Sequence, residues 1–368
     1  MKISVITLHT VKNYGSVLQT YATQKKFEHM KVEVEFVDYW RKNTQDHNLL
    51  HTFLSNSKKW NQNPFTRFIY KTIEYPSIHK RIHVFNRFLK QYIHLTPYRY
   101  LSYEELKANP PQADIYCTGS DQVWNSDCNG GIERPYFLEY VPKGKKRIAY
   151  AASFGKSKLS EKEQNMTKPL LQKYSMISVR EDSGADILSN MGIDSVQILD
   201  PTLILELDEW KRLMAKRQVR QEYLLIYQLN KNRDFDSYAK NFARKKKLKL
   251  IRLSYDYYHI IKPGHIMYCP TVEEWISLFY YADYIMTDSF HGTAFSINFN
   301  KQFSVFFPPK FSSRLASILQ LTGLENRRVI DCDNFEQAES IIDYHPVNEI
   351  LAKEREKADA FLAKAIKK

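Results

Sequence analysis

Short apolar runs alternate with amphipathic segments along most of the chain, and turn-forming or capping residues follow most of the apolar runs. Runs of this length predict buried strands, and the segments between them carry the apolar spacing of helices. The predicted strands lie at 2–8, 32–37, 113–118, 148–155, 176–180, 196–199, 223–229, 248–253, 267–269, 284–286 and 303–307. This alternation is typical of an α/β protein, and we expect two Rossmann-like units.

Pro201 stops the run at 196–199, and the alternation restarts beyond it. Because proline cannot continue a paired strand, we place a domain junction there. The expected domains are an N-terminal Rossmann-like domain at 1–203, a C-terminal Rossmann-like domain at 204–345, and an amphipathic basic helix at 346–368 that packs back on the first domain.

Residues 41–112 depart from the alternation and predict a helical insert with breaks at Pro64, Pro76 and Pro97. Between residues 57 and 92 the insert has eight Lys or Arg, one acidic residue, and eight aromatic residues. A basic, aromatic-rich helix can lie on an anionic membrane. The alternative is a solvated face above a packed one.

The stretch 284–293 has the strongest candidate chemistry. Its apolar start predicts a strand, Thr287, Asp288 and Ser289 can cap the helix that follows, and His291 falls in the first helical turn. Ligands of open α/β sheets bind at the carboxyl ends of the strands, and a helix start attracts anions. The helix start lowers the pKa of His291 and Asp288 raises it, so the direction stays open. A purely structural hydrogen bond or cap is the alternative.

Polar residues also follow two strands of the first half, at the same edge if the sheet is parallel. These candidate ligand-binding residues are Asn13, Ser16 and Gln19 after the first strand, and Ser120, Asp121, Gln122 and Trp124 after the strand at 113–118. The alternatives are that Ser16 is only a helix cap, that Ser120 or Asp121 is only a cap, and that Trp124 belongs to the core.

Two arginines are candidates for holding an anion. Arg180 ends the strand at 176–180, where its planar fork could grip a carboxylate or phosphate. An ion pair with Glu181 or Asp182 is the alternative. Arg314 could add positive field to a cleft, or lie on the surface.

The composition of 43% hydrophobic and 26% charged residues is ordinary for a globular protein. The net charge of +13 suggests acidic partners: phosphorylated small molecules, anionic lipid or nucleic acid. Simple solubility would also account for it. The four cysteines form no CxxC pair, which argues against a zinc site or a disulfide framework. We expect a cytoplasmic protein, since no run approaches the ~18 apolar residues of a membrane span and the N-terminal run is too short for a signal sequence.

Six motifs occur in order along the chain. They are NYGSVLQ at 13–19, GSDQVWN at 119–125, YAASFG at 150–155, SVRE at 178–181, DPT at 200–202 and TDSFHG at 287–292. With these motifs the chain resembles the polysaccharide pyruvyl transferase family from about residue 3 to residue 330. The resemblance implies two Rossmann-like domains in a GT-B-like arrangement with an interdomain cleft.

The resemblance also implies an activity. The enolpyruvyl group of phosphoenolpyruvate would move onto a sugar diol of a bacterial surface polysaccharide, such as an exopolysaccharide or capsule, or of its lipid-linked precursor. A pyruvate ketal would form and phosphate would leave. We expect no metal and no cofactor beyond the donor substrate, no nucleic-acid partner, and a peripheral contact with the inner face of the plasma membrane.

Residue roles carry over by motif. His291, with Asp288, would do the proton transfer, Arg180 would hold the donor, and the backbone N–H groups of residues 291–293, including Gly292 and Thr293, would take an anion. Some family members have Arg where this chain has Ser289, and Arg314 is the expected substitute. Two alternatives stay open: a GT-B glycosyltransferase that uses a nucleotide sugar, and a non-catalytic member that binds glycan or membrane.

Overall fold

The computed structural model describes residues 1–55, 57, 60–309 and 312–367. Its N-terminal half holds a seven-stranded sheet in which every pairing is parallel, in the order β3-β2-β1-β4-β5-β6-β7. The strands are β1 (Lys2–Ile6), β2 (Glu33–Tyr39), β3 (Leu95–Tyr100), β4 (Ile115–Thr118), β5 (Lys146–Ala152), β6 (Met176–Val179) and β7 (Val196–Gln197).

The C-terminal half holds a five-stranded parallel sheet in the order β10-β9-β8-β11-β12. Its strands are β8 (Tyr223–Tyr227), β9 (Lys249–Ser254), β10 (His265–Tyr268), β11 (Tyr284–Thr287) and β12 (Gln302–Val305). Both sheets confirm the predicted α/β class.

Helices cover the faces of both sheets, which is the usual setting of parallel strands. They are α1 (Tyr14–His29), α2 (Leu49–Ser55), α3 (Pro64–Tyr92), α4 (Tyr103–Ala108), α5 (Ser126–Asn129), α6 (Glu161–Leu171), α7 (Asp182–Asn190), α8 (Pro201–Ile204), α9 (Leu207–Leu213), α10 (Arg233–Lys245), α11 (Val272–Tyr280), α12 (Phe290–Asn298), α13 (Ser313–Thr322), α14 (Glu336–Glu339) and α15 (Tyr344–Ala365). Short 3₁₀ helices lie at Asp46–Asn48, Arg134–Phe137, Tyr257–Ile261 and Glu325–Arg327.

One hydrophobic core runs through both halves. Tyr14 at the start of α1 stacks on Trp275 of α11, with ring centroids 5.3 Å apart, and its hydroxyl donates to the Pro270 carbonyl at 2.6 Å. Trp210 of α9 packs edge-on against Phe295 of α12 at 4.9 Å. The Tyr14 contacts hold the amino end of α1 against α11 and the loop before it, and Tyr14 also packs edge-on against Tyr227 of β8 at 6.3 Å.

The insert differs from its prediction at two prolines. Helix α3 runs through Pro76 without a break, and Pro97 lies inside β3, at the edge of the sheet. An edge strand tolerates proline because one side of its backbone needs no ladder partner. Pro64 does mark a boundary, since it occupies the first turn of α3 after the Asn63 cap.

The insert bridges the two halves. Arg87 of α3 donates both hydrogen bonds of one amino group to the Glu273 carboxylate, at 2.7 and 2.6 Å, and Lys80 donates to the Tyr268 carbonyl at 2.5 Å. Helix α3 therefore lies across the junction between the two halves.

The C-terminal helix α15 lies against elements of the first half. Arg355 donates to the Leu203 carbonyl at 3.0 Å, Lys26 of α1 pairs with Asp359, and Lys146 of β5 donates to the Lys367 carbonyl at 2.6 Å. Among the described residues, no helix is long and apolar enough to cross a bilayer.

Candidate active site

A cavity of about 510 Å³ opens between the carboxyl ends of the two sheets. The β1–α1 loop, the loop after β4 and the insert line one side of it, and the loop after β8, the β11–α12 turn and the start of α13 line the other. Ligands of open α/β sheets bind at this edge. The predicted interdomain cleft is thus present, and its walls come from both halves of the chain.

His291 lines the cavity from the first turn of α12, as the sequence predicts. Its ring is edge-on to Phe290, and its Nε2 is buried without a hydrogen-bond partner among the described residues. An unpaired buried ring nitrogen is costly and needs a reason. A substrate proton or oxygen in the cavity would supply the partner that Nε2 lacks.

The direction of the His291 pKa shift, which the sequence leaves open, is downward. Burial lowers the pKa to about 4, against the raising effect of the Asp200 and Asp121 carboxylates. The imidazole is therefore neutral near pH 7 and can accept a proton there. A bound polyanion would raise this pKa because negative charge favours the protonated ring.

The His291 ring rests on Gly15, the second residue of α1. A Cβ built on Gly15 would lie 2.0 Å from Nδ1 of His291. Glycine at this position lets an imidazole from one half of the chain sit against a helix of the other.

We expect Gly15→Ala to displace the ring and lower turnover roughly 10- to 100-fold, since a misplacement of about 1 Å can cost that much. Steady-state kinetics check this. The control is the double variant Gly15→Ala/His291→Ala, which should match His291→Ala because the methyl group then meets no ring. Wild-type turnover in Gly15→Ala would contradict the seating of His291.

Ser289, Gly292 and Thr293 build the start of α12. The Ser289 hydroxyl caps the helix by accepting from the Gly292 N–H at 3.3 Å, and Thr293 bonds back to the Ser289 carbonyl. A Cβ on Gly292 would lie 2.3 Å from the Thr287 hydroxyl, so close packing explains this glycine. Ser289 lines the cavity, whereas Gly292 and Thr293 do not.

Asp288 lines the cavity, but its carboxylate is occupied. It accepts from the backbone N–H groups of Leu229 and Asn230, at 2.7 and 2.8 Å, and from the Asn230 side chain at 3.0 Å. Burial nevertheless raises its pKa. These contacts tie the loop after β8 to the β11–α12 turn, so the structure favours a positioning role over the predicted proton transfer.

Arg180 is where the sequence-based expectation is wrong. Its guanidinium is fully buried and does not line the cavity. It donates to Asp200 at 2.6 Å and to Asp121 at 3.0 Å, and its Nε lies 3.7 Å from Glu181. With three carboxylates around it, this side chain has no fork free for a donor substrate. The structure thus favours the alternative of a structural ion pair, but the hydrogen-bonded partners are Asp200 and Asp121, and the expected Glu181 is a more distant third.

The Arg180 cluster reaches the cavity through Asp121. This residue has a φ of 75°, and its carboxylate accepts from the Ser16 hydroxyl at 2.9 Å as well as from Arg180. Ser120, its neighbour, turns away from the cavity and donates to Asp200 at 2.9 Å. The Arg180 charge holds the pKa of both Asp121 and Asp200 below the usual range, in spite of their burial. Both carboxylates are therefore ionised near His291.

Arg314, the expected substitute cation, lines the cavity from the first turn of α13. It lies 5.5 Å above the Phe290 ring, and its Nε is buried without a partner among the described residues. Burial, and then the charge of Arg180, lower its pKa to about 10, so it stays charged at neutral pH. Arg314 is thus a half-buried cation whose buried Nε is a free donor among the described residues, in the same cavity as His291.

Three further cations, which were not predicted from the sequence, also line the cavity. Lys12 pairs with Asp46 at 3.2 Å, Arg41 donates to Asn129 at 2.5 Å, and Arg81 donates to the Lys12 carbonyl at 2.5 Å. Burial lowers the pKa of Lys12 to about 8. Lys12 follows β1 and Arg41 follows β2, and this position after the carboxyl end of a strand could have marked both as candidate cavity residues. Arg81 lies within α3, where no local pattern marks it.

The other candidates divide between cavity and core. Asn13 and Gln122 line the cavity, and the Asn13 side chain caps α1 by accepting from the Ser16 N–H at 2.8 Å. The helix therefore begins three residues earlier than predicted, with Asn13 and not Ser16 as its cap. Gln19 is buried beneath the loop, where it donates to Thr7 at 2.9 Å. Trp124 belongs to the core, stacked on Phe137.

A family model described as "Polysaccharide pyruvyl transferase" matches residues 13–306 of the chain. The matched range includes His291, Asp121 and the cavity residues of the insert, and it ends before Arg314. No curated protein matches the chain.

Two solved structures show the same fold. A putative UDP-N-acetylglucosamine 2-epimerase from Listeria monocytogenes has a TM-score of 0.50 at 12% identity, over 98% of this chain and 97% of that one. The S. aureus MnaA–UDP co-structure has a TM-score of 0.51 at 11% identity, and the match covers 96% of this chain and 88% of that one. The two Rossmann-like halves are thus joined in a GT-B-like arrangement.

Proposed function

The chain belongs to the polysaccharide pyruvyl transferase family, and we propose that it transfers the enolpyruvyl group of phosphoenolpyruvate to a sugar diol. The acceptor would be a bacterial surface polysaccharide or its lipid-linked precursor, and the product a pyruvate ketal. Family membership supports an enzyme of polysaccharide biosynthesis, and the cavity supports the anionic donor.

One observation carries the choice of donor: the charge of the cavity. Lys12, Arg41, Arg81 and Arg314 line it together with two carboxylates, Asp121 and Asp288. Asp121 is paired with Arg180, Asp288 accepts from backbone N–H groups, and Lys12 is paired with Asp46. The lining cations without a carboxylate partner among the described residues are Arg41, Arg81 and Arg314. A small ligand with two anionic groups, a carboxylate and a phosphate, matches this excess of positive charge.

The reaction balances without an oxidant or a metal. One acceptor hydroxyl adds to the donor's C2 carbon, and its proton goes to the C3 methylene, which becomes a methyl group. The oxygen of the second hydroxyl then bonds to C2 while the C2–O bond to phosphate breaks. The proton of this second hydroxyl leaves with the phosphate. Each step needs a group that takes up or gives back a proton.

His291 is the proposed proton carrier. Its neutral ring, with Nε2 unpaired in the cavity, accepts the proton of the first hydroxyl. The imidazolium formed is stabilised by the Asp200 and Asp121 charges and by the bound donor, and it then protonates the methylene carbon. Arg314, in the first turn of α13, lies where it can neutralise one anionic group of the donor. The positive end of the α12 dipole, at the cavity residues Ser289, Phe290 and His291, would favour the other.

We propose a glycan or lipid-linked oligosaccharide as the partner, with no nucleic acid and no cofactor beyond the donor. The remaining length of the cavity, toward the insert, would take the acceptor sugar. A lipid-linked acceptor would place the enzyme in the cytoplasm at the inner face of the plasma membrane.

Ligand-induced stabilisation tests the donor. Phosphoenolpyruvate at about 100 times its Kd should stabilise the fold by ~2.7 kcal/mol, seen as a higher Tm, and UDP should not. Stabilisation by UDP alone would favour the glycosyltransferase alternative. No phosphate release with any glycan, despite donor binding, would favour a non-catalytic member.

Arg314→Gln should raise the donor KM about 10- to 100-fold, since a charge-assisted hydrogen bond contributes ~1.5–3 kcal/mol. The phosphoenolpyruvate-induced rise in Tm should shrink accordingly. Arg244→Gln, at an exposed position on α10, is the matched control and should change neither. An unaltered donor KM in Arg314→Gln would remove Arg314 from the donor site.

A further inference from the structure

Four apolar residues in the first three turns of α3 are exposed. Phe65 and Phe68 are 72% and 69% exposed, and Tyr75 and Ile73 are 62% and 46% exposed. Ordinary surface helices face the core with their apolar residues and the solvent with their polar ones. This part of α3 does the reverse.

The opposite face of the same turns is the one that contacts the protein. Glu74, Ser77 and Ile78 are buried, and burial, together with the charge of Asp256, raises the pKa of Glu74 to about 7. At 100° per residue, Phe65 lies about 180° around the helix from Glu74, Phe68 about 120°, and Ile73 and Tyr75 about 100° on either side of it. The exposed apolar residues are therefore not part of the face of α3 that packs on the protein, because other residues form that face.

We propose that this outer stripe of α3, named here the α3 stripe (Phe65, Phe68, Ile73 and Tyr75), docks on an anionic lipid surface. Aromatic side chains suit the boundary between headgroups and acyl chains, and a helix with one apolar face can lie in that plane.

The charge around the stripe favours a lipid surface. Arg67 and Lys71 are exposed on the same turns, and Lys71 lies three residues from Phe68 and four from Tyr75, which places it beside them on the helix surface. The one acidic residue between 57 and 92, Glu74, is buried. The first turn of α3 holds no acidic residue, so the positive end of the helix dipole is not offset there. Each nearby basic residue strengthens attraction to anionic headgroups.

The size of the stripe argues against a second copy of the chain as its occupant. Four side chains at these exposures offer on the order of 500 Å² at ~200 Å² for a whole aromatic, which is less than the ~800 Å² that each partner buries in a stable dimer. A bilayer needs no complementary partner surface, so a narrow stripe suffices.

The stripe also lies close to the cavity. Ile73 is eight residues before the cavity residue Arg81 on one continuous helix, which is about 12 Å at 1.5 Å per residue. If the proposed function holds, a lipid-linked acceptor could keep its lipid in the bilayer while its sugar reaches the cavity. Lipid binding itself does not depend on that function.

Vesicle co-sedimentation tests the proposal independently of catalysis. The chain should bind vesicles of phosphatidylcholine with about 30% phosphatidylglycerol and bind pure phosphatidylcholine at least several-fold more weakly. Phe65→Ser/Phe68→Ser should weaken binding roughly 10- to 100-fold, because two buried aromatic groups are lost. Arg67→Gln/Lys71→Gln should remove most of the preference for phosphatidylglycerol, and added salt should do the same to the wild type.

The matched control is Ile330→Ser/Ile341→Ser, which changes two apolar residues that are 78% and 85% exposed elsewhere on the surface. It should bind vesicles as the wild type does. The proposal would be overturned if the wild type did not bind the vesicles. It would also be overturned if Phe65→Ser/Phe68→Ser bound them as tightly as the wild type. Light scattering that shows a wild-type dimer and a monomeric Phe65→Ser/Phe68→Ser variant would overturn the proposal as well, since the stripe would then join two copies of the chain. Failure of phosphoenolpyruvate binding would count against the proposed function and leave the vesicle result intact.

Discussion

Replacement of His291 by alanine is expected to leave the fold intact and to lower turnover by ~10²–10⁴-fold, the usual contribution of a general acid or base. The ring lies in the cavity at the start of α12, and its Nε2 has no hydrogen-bond partner among the described residues. The fold should survive because loss of the ring breaks no hydrogen bond of Nε2 with the described residues, and because α12 keeps its Ser289 cap.

Phosphate release from phosphoenolpyruvate in the presence of an acceptor glycan measures the effect. The matched control is His345→Ala, an exposed histidine at the start of α15, which should keep wild-type turnover. If His291→Ala retained full turnover with an unchanged Tm, the imidazole would have no part in the chemistry.

The same side chain sets the expected pH dependence. Because the pKa of His291 is lowered to about 4, the ring stays neutral down to that pH and is protonated, hence unable to accept a proton, below it. In the free enzyme kcat/KM should therefore fall on the acid side near pH 4 and not near 6.5. The bound donor raises the pKa, so the acid limb of kcat should lie at higher pH than that of kcat/KM.

All strands except β3 were predictable, because each coincides with a short apolar run. β8 to β12 begin and end within two residues of their predicted positions, and His291 lies in the helical turn that its spacing indicates. Local chemistry sufficed there, since a strand buried on both faces is apolar throughout.

The insert was harder to predict because proline acts differently in different settings. Pro76 faces outward on α3, where a missing N–H costs a helix less than it would in a packed position, and Pro97 lies on an edge strand. β3 itself reads as a polar segment, half exposed, and only its pairing with β2 makes it a strand. The position of each proline and the pairing of β3 therefore depend on tertiary contacts that the local sequence does not show.

The cavity cations depend on contacts between residues far apart in sequence. Arg81 and Arg314 come from two helices that meet only across the cleft. Arg180 follows its strand as the sequence indicates, but its guanidinium donates hydrogen bonds to Asp121, 59 residues earlier, and to Asp200, 20 residues later. No spacing within a motif shows which of several carboxylates an arginine will meet.

Arg180→Ala is accordingly expected to act on stability before it acts on substrate binding. Its loss would leave the buried carboxylates of Asp121, Asp200 and Glu181 without their shared cation. Breaking a buried ion pair from one side typically costs ~3–5 kcal/mol of unfolding free energy. Urea denaturation with two-domain fitting, or the shift in Tm, measures this. Arg180→Lys keeps the charge without the fork and should recover only part of the loss.

The pH dependence of the Arg180→Ala effect has a definite sign. The pKa values of Asp121 and Asp200 are lowered in the folded protein, so the stability from their pairing is present above their unfolded pKa near 3.8 and is lost as the pH falls through the lower folded values. The difference between wild type and Arg180→Ala should thus be largest at neutral pH and narrow in strong acid. A variant of wild-type stability with only a raised donor KM would instead place Arg180 on the substrate, and the buried cluster could not then be its principal role.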